Sequence, residues 1–319
     1  MYYVVILIVV EGGISMNDNS KKLLNTILDN KDIKGAYNVR IDGECVKKEI
    51  NDNVNIVSKQ DGKGIEIYVK ENVDYEFIYI PVLVTKSGLK DIVYNDFFIG
   101  KNANVYIMAG CAIQNNGDKS SEHNGIHRFY LEENASVTYI ENHYGEGHKH
   151  GGKVLNPTTE IHLKKGSSMN MKTVQKKGVD ESNRKTIAVL DEDAKLEITE
   201  KIMTDSKQNA TTLFEVELNG ENASCYVTSR SFAIDNSKQK FVSKVIGNEK
   251  CYAHVECDAI IKDNAKVIAI PEIDANNVDA NLVHEASIGK IAKEQVIKLM
   301  TLGLSEKEAE SEIIKGFLK

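Results

Sequence analysis

A phrase that recurs seven times from Phe97 onward constrains this chain more than any other feature. Each copy has two or three apolar residues, a polar turn ending in a small residue, and then alternating strand text, as in FFIGKNANVYI, FYLEENASVTYI and AVLDEDAKLEI. The small position is held in turn by Ala103, Ala135, Ser167, Ala194, Ala223, Lys250 and Ala265, at intervals of 32, 32, 27, 29, 27 and 15 residues. A strand–turn–strand unit recurring at about thirty residues signals a stacked β architecture, in which each unit closes its neighbour's core. Helix signals are nearly absent from Phe97 to Pro271. That favours a mostly β chain built as a parallel β-helix, or solenoid, over a doubly wound sheet. The competing arrangement is a β-sandwich of irregular meanders.

The flanks read differently. Residues 1–10, MYYVVILIVV, are too short an apolar run to span a bilayer and lack the basic start and cleavage site of a signal peptide. Glu11-Gly12-Gly13 would be encoded by a purine-rich run like a bacterial ribosome-binding site, so residues 1–15 are expected to be a mis-called start, with translation beginning at Met16. Intact mass of the native protein checks this. Residues 16–90 read as an N-terminal helical and mixed region, in which Leu23, Leu24, Ile27 and Leu28 recur at helical spacing behind Ser20 as N-cap. The β-helix core is expected over 91–275 and a helical region over 276–319. In the latter, Ile288, Ile291, Ala292, Val296, Leu299 and Met300 mark one helical face, and Gly303 is a natural C′ residue. Ser305 to Glu308 is a capping box for a second helix ending near Phe317. Two short helices make little core alone, so they pack on the solenoid's end or face a partner.

Composition excludes several function classes. A formal charge of −7 argues against nucleic acid, whose phosphates need a basic face. Five scattered cysteines, Cys45, Cys111, Cys225, Cys251 and Cys257, are unlike a disulfide framework and read as thiols in a reducing cytoplasm. With no tryptophan and 8 phenylalanines, a large aromatic stacking platform is not expected. No Walker-type phosphate loop, no GxSxG elbow and no Cys–His nucleophile pairing occurs. The chain is therefore read as a non-enzyme, and any nucleotide hydrolysis belongs to another chain.

Chemistry-bearing residues gather in two stretches. In the first, Cys111, His123, His127, Glu141, His143, His148 and His150 stand within forty residues, and Gly145, Gly147, Gly151 and Gly152 make its end a flexible loop. This is either a polar surface loop or a metal- or sulfur-handling surface with Cys111 as soft ligand. In the second, Cys257 and the pair His284–Glu285 stand where the β pattern gives way to helix. Thiolate, imidazole and carboxylate are the side chains that bind iron and other transition metals. Cys251, His254 and Cys257 cannot share one ion on a strand, because residues three apart face opposite sides and the two cysteines lie roughly 20 Å apart. His284–Glu285 opens no zincin motif, since Ile288 stands where a second histidine is needed. A lone buried cysteine is otherwise a small hydrophobe in a core.

The phrases ECDAII around Cys257, HEASIGKI at His284–Ile291 and the tail EQVIKLMTLGLSEKEAESEIIKGFL carry a resemblance. With the strand repeats and ENHYGEG, they resemble the SufB/SufD family, scaffolds of SUF-type iron–sulfur cluster assembly, over roughly residues 97–319 and in its compact single-scaffold form. The resemblance implies a right-handed parallel β-helix with flanking helices. It implies C-terminal helices that dock a SufC-like ABC ATPase, and dimerisation through the β-helix, as a homodimer or with a paralogous scaffold. It also implies a transient iron–sulfur cluster near that interface. Cys257 matches the cluster-site cysteine of SufB-type subunits, Glu285 their glutamate, and His284 the histidine of the SufD-type partner. A sulfur donor and apo-protein acceptors are implied partners in the cytoplasm, with no membrane. Where SufB-type subunits carry a further cysteine in an EGC-type phrase, this chain reads Glu141-Asn142-His143, and the tryptophan of the sulfur path has no match. Cys111 is the alternative sulfur acceptor. The competing readings are a stabilising subunit that binds no cluster, and a glycan-active β-helix, for which the aromatic platforms are missing.

Overall fold

The computed structural model describes residues 18–28, 35–147 and 150–319, so the expected start at Met16 and His148 lie outside the described residues. The repeat is a β-solenoid of about eight turns, flanked by one N-terminal and two C-terminal helices. Two ten-stranded sheets form its walls. The first begins with the pair Ala36–Ile41 and Glu44–Glu49 and ends with Tyr252–Ile261 and Asn281–Gly289. The second begins with Val54–Ser58 and Gly64–Val69 and ends with Lys238–Gly247 and Lys266–Ala275. Only the two N-terminal pairs are antiparallel. Parallel pairing already joins Ala36–Ile41 to Glu76–Val84, and the last strand reaches Gly289. The solenoid thus extends past both ends of the span 91–275, and the helical part starts at Lys293.

The turn chemistry explains the repeat. Asn102, Asn134, Asp193 and Asn222 adopt left-handed backbone, with φ of 55, 57, 57 and 60°. Asn and Asp tolerate this region because their short side chains bond locally. The residue after each is small because it stacks on its equivalent in the next turn. Ser136, Ser168, Lys195, Ser224, Tyr252 and Asn281 donate their N–H to the carbonyls of Ala103, Ala135, Ser167, Ala194, Ala223 and Cys251. The sequence phrase put Lys250 in this column, but the register puts Cys251 there. Ala265 belongs to the opposite sheet, where Lys266 N–H reaches Ser237 O, so the 15-residue interval is half a turn.

Strand alternation then builds the core. Inward residues fill the bore, as where Phe97 and Phe129 stack with centroids 4.4 Å apart. Each such fully buried ring contributes about 1.5–3 kcal/mol. On the outer wall Tyr68, Phe98, Tyr130 and His162 stack on successive turns at 4.9, 5.2 and 5.0 Å. This ladder was not expected from the composition; its ring faces are taken up by one another.

Helix α1 (Asp18–Ile27) lays Leu23, Leu24, Ile27 and Leu28 on Tyr79, Leu83, Met108 and Ala112 of the outer wall. Ser20 lies inside this helix and not at its cap. The solenoid closes the helix end, with Asn142 Nδ2 donating to Ile27 O at 2.7 Å and Lys176 Nζ to Thr26 O at 2.8 Å. Helices α2 (Lys293–Met300) and α3 (Glu306–Phe317) follow the last strand. The capping box of Ser305 and Glu308 forms as read, whereas Gly303 (φ +96°) stands two residues beyond the C-cap Thr301. Of α2 and α3, only Ala309 is buried. Lys262 pairs with Glu310, and Lys201 donates to Lys319 O at 2.7 Å, which ties α3 to the last turns.

Candidate functional site

One inward column of the first sheet runs Glu141, Thr173, Glu200, Ser229, Cys257 and Ala286 on successive turns. It carries the chemistry of the bore from its middle to its C-terminal mouth.

At the mouth, Cys257 sits one turn below Ala286 and is 2% exposed. Burial, then Glu200 and Asp258, push its thiol up to about 12. His284 pairs with Val255 in register and faces the same interior. Its Nδ1 is 3.1 Å from Ser243 Oγ, and its Nε2 is buried without a hydrogen-bond partner. Burial, and then His254, lower its pKa, so it stands as a neutral imidazole with a lone pair to offer. Glu285, next in the strand, points out of the bore, 3.7 Å from His254 Nε2. The pair expected at the seam between strand and helix therefore lies on the last strand, and alternation sends its members to opposite faces. Within one chain, Cys257 and His284 share the chamber and Glu285 does not.

In the middle of the bore, the polar stretch is strand and not surface loop. His123 and His127 lie on Ser121–Leu131, Glu141 and His143 on Ser136–Glu146, and all are buried. Gly145, expected in a flexible loop, is in that second strand, and it is glycine because any Cβ there would strike Gly178 O. His150 is exposed. Cys111, His123, His127, Glu141 and His143 line one cavity of about 10 Å³, room for about one water.

Hydrogen bonds link the rings to their neighbours here. His123 Nδ1 is 2.8 Å from Asp91 Oδ2 and donates to that carboxylate. Tyr139 donates to Glu141 Oε1 at 3.0 Å and accepts from His127 Nδ1 at 2.7 Å. Arg184 donates to Glu141 Oε2 at 2.7 Å and to His143 Nδ1 at 2.9 Å, and its Nε lies 3.2 Å from Glu200 Oε1. Glu200 also accepts from Thr212 and Ser229, each at 3.0 Å. Burial opposes ionised Glu141, yet His143 and Arg184 hold its carboxyl well below the usual range. Since burial lowers the pKa of His143 as well, Arg184 is the cation that sustains the charge. Burial brings His127 down to about 4 and pushes the Cys111 thiol well up.

Among the described residues, no group of three or more His, Cys, Asp and Glu is arranged to hold a metal ion. The structure thus brings Cys111, His123, His127 and His143 around one cavity without making them an ion cage. Cys251 and Cys257 both face the bore, six positions apart along the chain, and His254 faces outward, so the three share no ion, as their spacing required. Arg184, Glu200, Ser229 and Asp91 escaped the sequence reading. The available signal was a charged residue in an inward column, as Glu200 stands among Leu196, Ile198 and Ile202 in the strand Lys195–Thr204.

Among the described residues, no helix is long and apolar enough to cross a membrane. Residues 95–317 match the family described as "SUF system FeS cluster assembly, SufBD core domain". An iron–sulfur cluster assembly SufBD family protein of Methanocaldococcus jannaschii is 29% identical over 265 residues, covering 82% of each chain. Another, of Pyrococcus horikoshii, is 31% identical over 265 residues, 81% of this chain and 78% of its own. A third, of Archaeoglobus fulgidus, is 24% identical over 280 residues, 86% of this chain and 73% of its own. With the solenoid and a match across more than half of its length, this chain belongs to the SufBD family of iron–sulfur cluster assembly proteins.

Proposed function

We propose that this chain is a scaffold on which an iron–sulfur cluster is built and from which it is passed on, the cluster being cargo and not a resident group. The observation that carries this reading is the mouth of the bore, where Cys257 and the unpartnered Nε2 of His284 share one inner wall. A thiolate and a neutral imidazole suit iron, and mixed ligation releases a cluster more readily than four thiolates.

Two donors are too few to hold it, so a second copy completes the site. The last strands support such a homodimer: they are sheet edges, and Ile268, Ile270 and Ile273 on Lys266–Ala275 are exposed. Exposed apolar edges invite pairing with another chain. In that arrangement Glu285, outside its own bore, is free to serve across the interface. Exposed Ile297, Met300 and Leu302, beside a groove of about 600 Å³ between α2, α3 and the last turns, support docking of a SufC-like ATPase. ATP-driven movement of that partner opens the chamber, while this chain itself catalyses nothing. Sulfur acceptance falls to Cys111, one turn from His143 in its column and in the same small cavity as His123. The setting is the cytoplasm.

Anaerobic reconstitution with iron and sulfide tests the proposal. Wild type develops visible charge-transfer absorbance, and Cys257→Ala loses it. The burial of Cys257 among the core residues of the last turns favours a second reading, a stabilising subunit with a structural Cys257; equal spectra for both proteins would establish that one.

A further inference from the structure

Beneath Cys257 the bore holds an uneven set of charges. Glu141, Arg184 and Glu200 are all buried, and one guanidinium serves two carboxylates. Three donors converge on the two oxygens of Glu200, namely Ser229 Oγ, Thr212 Oγ1 and Arg184 Nε. Burial raises its pKa, and Arg184, Ser229 and Thr212 pull the other way; three donors on two oxygens suit the ionised, acceptor-only form. With His127 and His143 neutral, the three charged groups sum to one uncompensated negative charge. It lies in the column of Cys257, with Ser229 on the turn between. Two turns amount to roughly 10 Å. The other charged groups near Cys257 are not in its column: Asp258 and Glu285 face outward, and His284, on the same wall one turn up, is neutral.

We propose that Glu200 is a positioning residue for cluster release: its uncompensated charge, held by Arg184 and aimed along the inner column, weakens the grip of Cys257 on a negatively charged cluster. This inference rests on the reading that Cys257 is a cluster ligand. Its logic is Coulombic. A thiolate-bound cluster carries net negative charge, and a fixed carboxylate beneath it raises the free energy of the loaded state without touching it. At about 10 Å and an effective dielectric of about 20, one charge shifts an equilibrium by roughly ten-fold. A scaffold that must let its product go gains from such a bias, whereas a permanent electron carrier would not.

The test compares wild type with Glu200→Gln, Glu200→Asp and Ser229→Ala in the full chain. Glu200→Gln is expected to hold a reconstituted cluster about ten-fold longer against a chelator. Its reduction potential should rise by about 60 mV, the one-electron equivalent of ten-fold. Glu200→Asp keeps the charge and should behave as wild type, and Ser229→Ala should change retention little. In the apo-protein, peptide-resolved alkylation of Cys257 at fixed pH should be about ten-fold faster in Glu200→Gln, because the thiolate is no longer opposed. Retention and alkylation in Glu200→Gln equal to or below wild type would overturn the inference, as would an equal change in Glu200→Asp. Failure of the scaffold reading looks different. There, wild type and Cys257→Ala give equal spectra, whatever Glu200→Gln does to alkylation.

Discussion

The middle of the bore and its mouth are built from the same two sheets on the same alternation, yet they treat polar side chains in opposite ways. In the middle, Glu141 has Arg184 and Tyr139, and Arg184 spans both carboxylates. At the mouth, His284 bonds Ser243 through one nitrogen and leaves the other without a partner. Enclosed charges must be paired by the protein because nothing else can reach them. An open end can leave a donor free for cargo. The contrast separates residues that hold the solenoid from residues free to bind.

The comparison can be broken in several places. The largest effect is expected for Arg184→Met, which leaves two buried carboxylates unpaired. It should lower the unfolding free energy in urea by about 3–5 kcal/mol. Lys262→Met, which breaks the half-buried pair with Glu310, should cost about 1 kcal/mol or less. Equal losses would mean that the mid-bore pairing is not what stabilises the turns.

Acid should find the middle first. His127 titrates at about 4 in the fold against 6.5 ordinarily, so the unfolded chain binds the extra proton between those values. Its contribution is complete above pH 6.5 and is lost as pH falls to about 4, in total about 3 kcal/mol. Glu141, held below its ordinary range, is also lost on the acid side, below that of a free carboxyl. Unfolding free energies measured at pH 7 and 4.5 should differ accordingly, and His127→Asn should flatten the difference.

Two cysteines in the same sheet sharpen the contrast further. Cys225 lies between Leu196 and Ala253, so a serine hydroxyl there has no partner, and Cys225→Ser should cost about 1–3 kcal/mol. Cys257→Ser would find Ser229 one turn below and should cost less than about 1 kcal/mol. Thermal melts of the two variants decide. The smallest effect on the fold is expected at the edge strand. Ile270→Lys should leave stability within about 0.5 kcal/mol, while sedimentation shows loss of self-association.

Much of the architecture was legible because solenoid turns repeat. Ala103, Ala135, Ser167, Ala194 and Ala223 announce the turn corners, and Asn102 or Asp193 before them announces the left-handed step. Lys250 and Ala265 do not fit the column because the repeat alone does not distinguish a one-residue offset from a change of sheet. Cys257 and His284 were legible as residue types. That they share a wall while Glu285 leaves it needed the strand register, since the text around them reads equally well as the start of a helix.

What the amino-acid sequence determined by itself is the periodic structure: corners, strands, and the two terminal helices with the Ser305 cap, all governed by neighbours a few residues apart. The tertiary structure alone decided which polar residues meet. Arg184 reaches Glu141 across 43 positions and Glu200 across the bore, and His284 reaches Ser243 across 41. Stacking converts a distance of about thirty residues along the chain into about 4.8 Å between strands. Partnerships inside the bore therefore depend on register, which no local pattern encodes.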